Sequence, residues 1–296
     1  MNGERPAGPA TESAVFRGWN QSELDRECSP SSCVEDIGDY MAAYREHSGA
    51  ARRRMVWRRF RYASSPRSTV DFFPAGAGSP LLVYVHGGYW QELSAPDSCF
   101  PAPGLVGQGV SFAALGYELA PGRTLSGIVD MVGEGLRWLW SNAGALEVDP
   151  QRIIAAGSSA GAHLVAMNLL RGRADAIIAT AVLLSGVYDL EPVRLSYVNE
   201  ALGLTRAAAV RNSPLLRLAD PLPPLVLAIG ENETSEFTRQ HREFSRATRP
   251  LCTRHMEFTV PGRNHFDLVF DLSDPDSALG GAVAAAAANR RRTPAP

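Results

Sequence analysis

The pentapeptide Gly157-Ser158-Ser159-Ala160-Gly161 narrows the possible folds of this chain more than any other feature. It stands between a short apolar run, Arg152 to Ala156, and a run with helical spacing, Ala160 to Arg171. A serine framed by glycines at a strand-to-helix junction sits on a sharp turn with a strained backbone, and small flanking residues let that turn close. Gly157 and Gly161 frame Ser159 symmetrically, so Ser159, not Ser158, is the candidate nucleophile. It precedes a helix whose N-terminal dipole favours developing negative charge.

A second motif, His86-Gly87-Gly88-Tyr89-Trp90, follows the apolar run Leu81 to Val85 and lies about seventy residues ahead of the first. Acyl transfer passes through an oxyanion, and preorganised backbone N–H groups must already point at it. Two adjacent glycines permit such a loop. The expected donors are the N–H of Gly88 or Tyr89 together with that of Ala160. His86 is expected to brace the loop rather than to act as a base.

A serine nucleophile needs an imidazole held by a carboxylate, and after a turn of this kind the chain order is serine, acid, histidine. Of the histidines after Ser159, His163 lies on the helix after the turn, His241 is read as a solvated mid-helix residue, and His255 opens a strand. His265, in Pro261-Gly262-Arg263-Asn264-His265-Phe266 after the last strand, holds the position the chemistry requires. The acid is expected on the loop Gly230-Glu231-Asn232-Glu233-Thr234. Glu233 is favoured for its reach, with Glu231 and then Asp189 as alternatives; Asp220 precedes its strand and falls at the wrong end.

Around these motifs, Leu81 to Val85, Ser111 to Leu115, Arg152 to Ala156, Ile177 to Leu184, Leu225 to Ile229 and His255 to Val260 read as buried strands. Leu125 to Asn142, Ala160 to Arg171 and Ser235 to Thr248 read as helices between them. That alternation predicts an α/β chain with a mainly parallel central sheet flanked by helices. Thr69 to Phe73 is expected as an antiparallel edge strand. Residues 14–280 read as one domain, with 191–221 as a small lid insertion of short helices. Residues 1–13 read as a disordered tail and 281–296 as an Ala/Arg-rich tail. An N-terminal helical segment, with a capping box at Ser32 to Glu35 and a helix over Asp36 to His47, is expected to pack outside the domain or cover the mouth of the site.

The 296 residues are 45% hydrophobic, enough for a sizeable core, and a formal net charge of -2 argues against a nucleic-acid or membrane-surface role. No signal-peptide pattern and no membrane-spanning run are read, so a cytoplasmic location is expected. Cys28, Cys33, Cys99 and Cys252 form no metal-ligand spacing and are expected as free thiols.

Taken together, His86-Gly87-Gly88-Tyr89-Trp90, Ala156 to His163, Ser185-Gly186-Val187-Tyr188-Asp189-Leu190, Gly230 to Phe237 with Arg239-Gln240, and Asn264-His265-Phe266-Asp267 resemble the kynurenine formamidases (arylformamidases) of the α/β-hydrolase superfamily. The likeness runs from about Arg26 to Leu272. Two departures stand out. The family's acid loop usually carries Asp where this chain has Glu233, and Arg26-Glu27-Cys28-Ser29-Pro30 lacks the aromatic residue usual near Cys28. The resemblance implies hydrolysis of an aryl formamide, amide or ester by Ser159, His265 and Glu233, with no cofactor and no metal. Tyr89, Trp90, His163, Tyr188 and Phe266 are then the expected pocket residues. The same chemistry also serves an acyltransferase that moves an aromatic acyl group from a thioester, on a small molecule or an acyl carrier protein, to an alcohol or amine. A homodimer is compatible with either reading.

Overall fold

The computed structural model describes residues 13–171, 177–218 and 221–289. The first twelve residues of the expected disordered tail, Asp220 and residues 290–296 of the C-terminal tail lie outside the described residues.

Eight strands form one sheet: β1 (Arg58–Arg61), β2 (Thr69–Phe73), β3 (Ser79–Val85), β4 (Ser111–Leu115), β5 (Val148–Ser158), β6 (Thr180–Leu184), β7 (Leu225–Asn232) and β8 (His255–Asn264), in the order β1-β2-β4-β3-β5-β6-β7-β8. From β4 to β8 all pairings are parallel, whereas β1 and β2 run antiparallel. The expectation for Thr69 to Phe73 is half corrected. The strand is antiparallel, but it lies second in the sheet and the edge is β1. Arg58-Arg59-Phe60-Arg61 offers one apolar residue to a strand pattern, so its pairing with β2 comes from the sheet and not from its own sequence.

Side-chain alternation splits the core into two layers. Leu81, Val83 and Val85 of β3 face one cluster, with α4 (Leu125–Ser141) and α5 (Ala160–Leu170). Leu82 and Tyr84 face the other, with residues of α2 (Ile37–Arg54), α3 (Ala102–Gly107) and α10 (Ala278–Ala288). The period of two along a strand makes a sheet covered on both faces read as an unbroken apolar run.

Two N-terminal details differ from expectation. Asn20 and Glu23 form a reciprocal capping box that starts α1 (Gln21–Glu27). Ser32 starts no helix, because Pro30–Cys33 is a 3₁₀ turn, and α2 is capped instead by Asp36, whose side chain accepts from Gly38 N at 2.7 Å. The segment after β6 folds as three short helices, α6 (Glu191–Leu195), α7 (Asn199–Leu202) and α8 (Arg206–Asn212), before α9 (Ser235–Thr248) returns beside β7. Among the described residues no helix is long and apolar enough to cross a membrane. The four cysteines are unpaired.

Candidate active site

The carboxyl ends of the central strands bring the motif residues together, and strand register does most of the placing. Val85 pairs with Gly157, so the loop after β3 and the turn after β5 leave the sheet side by side. Asn232 pairs with Asn264, so residues 233 and 265 also emerge as neighbours.

Ser159 has φ 54 and ψ -119, a conformation strained for any residue with a Cβ. The turn is held by Ser159 N donating to Leu184 O at 2.8 Å and by close packing of its glycines. A Cβ on Gly161 would lie 2.0 Å from Val85 O, and one on Gly157 would lie 2.5 Å from Gly161 C. The framing glycines are therefore contact requirements as well as turn residues. Ser159 is 6% exposed and opens onto a cavity. Ser158 is tied instead to Tyr84, with 2.8 Å between their hydroxyls.

The glycine loop lies against this turn. A Cβ on Gly87 would come within 3.2 Å of Ser159 Cβ. Gly88, Tyr89 and Trp90 all have positive φ, a left-handed turn of the backbone beside Ser159. Ala160 is the first residue of α5, where the N–H has no acceptor within the helix. His86 is buried, stacks on Tyr117 with centroids 4.1 Å apart, and meets Gly87 O through Nδ1 at 3.0 Å. Burial lowers its pKa to about 4, so it stays neutral at neutral pH.

His265 Nδ1 lies 2.8 Å from Glu233 Oε2, with the two side chains only 6% and 1% exposed. The second oxygen of Glu233 accepts from Gly230 N at 3.0 Å and from the Ser185 hydroxyl. The two alternatives are engaged elsewhere. Glu231 points to the opposite loop, where Oε2 accepts from Gly262 N at 2.8 Å. Asp189 accepts from Glu191 N and from Arg239. Ser185 had no assigned role; the sequence shows it only as a residue after a strand, and its positive φ aims it at the carboxylate.

The cavity has a volume of 420 Å³ and is lined by Ser159, His265, Gly87, Gly88, Tyr89 and Phe266, as the motifs suggest. Trp90, His163 and Tyr188 do not line it and are corrections to the expected pocket. All three are 0% exposed. Trp90 packs under the glycine loop, edge-on to His163 at 4.9 Å. The His163 ring meets Asn212 O through Nε2 at 2.7 Å, tying α5 to the end of α8, and burial lowers its pKa to about 4. Tyr188 stacks flat on Phe244 at 3.8 Å. Their place beside the motifs in sequence puts them one layer below the wall. His241 is likewise buried, 2% exposed, rather than solvated.

The missing wall comes from the N-terminal segment and the insertion: Pro30, Ser31, Ile37, Met41 and Tyr44 on one side, Tyr197, Val198, Glu200 and Ala201 on another. The N-terminal segment also grips the loops. Tyr89 Oη donates to Cys28 O at 2.5 Å, Thr234 Oγ1 to Glu27 O at 2.7 Å, and Tyr44 Oη to Phe266 O at 2.5 Å. No local pattern announces these contacts, which span up to 222 residues.

Residues 82–236 match the model of a family described as having the alpha/beta hydrolase fold. A kynurenine formamidase of Salmo salar is 31% identical, over 89% of this chain and 95% of its own length. One from Danio rerio is 30% identical with the same coverage. Among solved structures, a candidate thioesterase from a Silicibacter species is similar at a TM-score of 0.79, with 27% identity over 88% of this chain and 98% of the other.

Proposed function

The chain belongs to the α/β-hydrolase family and is a kynurenine formamidase-like hydrolase, and we propose that it cleaves an aryl formamide, amide or ester through Ser159, His265 and Glu233. The observation that carries this reading is the buried 2.8 Å contact between His265 Nδ1 and Glu233 Oε2 at the wall of the cavity onto which Ser159 opens.

In this mechanism Glu233 accepts the Nδ1 proton of His265 in a hydrogen bond, leaving Nε2 free to accept the proton of the Ser159 hydroxyl. The Ser159 oxygen attacks the carbonyl carbon, and the oxyanion is met by the N–H of Ala160 and of Gly88 or Tyr89. Collapse breaks the C–N or C–O bond, and His265 returns the proton to the departing amine or alcohol. Water then repeats the sequence on the acyl-enzyme and releases the acid. Ser159 and His265 line the same cavity, and the hydrogen bond between them is the one that this mechanism requires in the substrate complex. A cavity of 420 Å³ suits a molecule with one or two rings.

The likeness to a candidate thioesterase favours a second reading, an acyltransferase fed by a thioester. The two readings divide at the acyl-enzyme, which is taken by water in one and by an alcohol or amine in the other. Product analysis with an aryl thioester and a panel of alcohols separates them.

The test is turnover of N-formyl anilides and aryl esters by the native chain and by Ser159→Ala. The expected loss is about four orders of magnitude with an unchanged circular dichroism spectrum. A fluorophosphonate should label the peptide that contains Ser159. Near-native turnover in the variant, or a label elsewhere, rejects the scheme.

A further inference from the structure

The charge around the cavity is one-sided. Two carboxylates, Glu92 and Glu200, line it, and both are exposed at its rim. Neither makes a hydrogen bond or an ion pair among the described residues. They sit on two segments that meet, since Gln91 Nε2 donates to Val198 O at 3.1 Å. No arginine lines the cavity among the described residues, and the chain has no lysine. Arg67 reaches the same loop only by donating to Leu93 O at 3.1 Å and does not line the cavity. Of the two lining histidines, His86 is held neutral by burial and His265 is bound to Glu233. Tyr197, 46% exposed beside Glu200 on the insertion, adds an aromatic face.

We infer that the cavity selects substrates bearing an ammonium or similar cation on the arm away from the scissile carbonyl and disfavours those bearing a carboxylate there, with Glu92 and Glu200 as the selecting residues. This rests on the hydrolase reading of the same cavity. A cation at the rim meets two unpaired carboxylates and an aromatic face, whereas an anion meets repulsion and no compensating partner. Each exposed carboxylate acts only modestly through water, but attraction of one substrate and repulsion of the other multiply.

The experiment uses three formanilides matched in size, whose side arm ends in an ammonium, a methyl or a carboxylate group. The ratio of kcat/KM for the ammonium over the carboxylate substrate, taken within one enzyme, cancels losses common to all substrates. The expected ratio is roughly tenfold at low salt, falling toward unity at high salt and in the Glu92→Gln/Glu200→Gln double variant, with the change carried by KM. Binding of the same three compounds to Ser159→Ala, by calorimetry, should show the same order. A carboxylate substrate that matches or beats the ammonium one in both measurements overturns the inference, as does a ratio the double variant leaves intact. If the native enzyme turns over none of the three, the aryl formamide reading fails while the binding order still decides the charge preference.

Discussion

Glu233 and Glu231 stand two residues apart on the same loop and face opposite ways. Between the pairs Gly230↔Val260 and Asn232↔Asn264 the register of β7 and β8 shifts, leaving Pro261, Gly262 and Arg263 unmatched. Glu231 falls at that irregularity and binds Gly262 N, while Glu233 emerges beside His265. Glu233→Gln should therefore lower kcat about a thousandfold, because an amide neither fixes the Nδ1–H tautomer reliably nor stabilises an imidazolium. Glu231→Gln should change kcat by less than about threefold. Ser185→Ala, which removes a donor to Glu233 Oε1, should cost about tenfold. Steady-state kinetics on an aryl ester would check all three, and equal losses at positions 231 and 233 would reassign the acid.

At the scale of elements, the elbow is the part with least room. α5 begins where β5 ends, and Gly161 brings its first turn against the backbone of β3. Gly161→Ala would place a methyl group 2.0 Å from Val85 O, in the centre of the sheet where neither element can yield. A cost above about 3 kcal/mol is expected, read as a large fall in the urea midpoint or as loss of folded protein. Gly281→Ala on α10 is the contrast. Nothing lies within 4 Å of its added Cβ, so helix propensity should raise stability by about 0.5–1 kcal/mol. A Gly161→Ala chain as stable as the native one would mean that the elbow does not pack as described. α2 makes a related point about walls: it is an N-terminal helix by sequence, yet Met41 and Tyr44 face the candidate site.

For the whole molecule, two buried imidazoles couple folding to pH. Burial lowers the pKa of His86 and of His163 to about 4, whereas the unfolded chain takes up those protons near 6.5. Between these values the unfolded state binds more protons, so stability is full above about pH 6.5 and declines as pH falls toward 4. Roughly 2 kcal/mol per histidine should be gone by pH 5. Urea unfolding at pH 7.5 and pH 5 would show it, with a shallower decline in a His163→Gln variant; a flat profile for the native chain would contradict the burial of both rings. The order of β-strands and helices around the elbow, the glycine loop, and the histidine after the last strand were all readable from the chain, because each depends on residues adjacent in sequence: apolar runs, glycines where the backbone must turn, a serine where strand gives way to helix. The expected pocket shows the limit of such reading, since two of its five residues line the cavity. Tyr89 and Phe266 line the cavity, but Trp90, His163 and Tyr188 took their assignment from sequence proximity to the motifs, which does not say whether a side chain points into the cavity or beneath it. The identity of β1 as the edge, the placing of Glu233 rather than Glu231 beside His265 and the wall built by residues 30–44 and 197–201 came only from the packing of distant segments. Register across a sheet and contacts between residues two hundred positions apart leave no periodicity behind, since their energy is shared between partners that neither segment specifies alone.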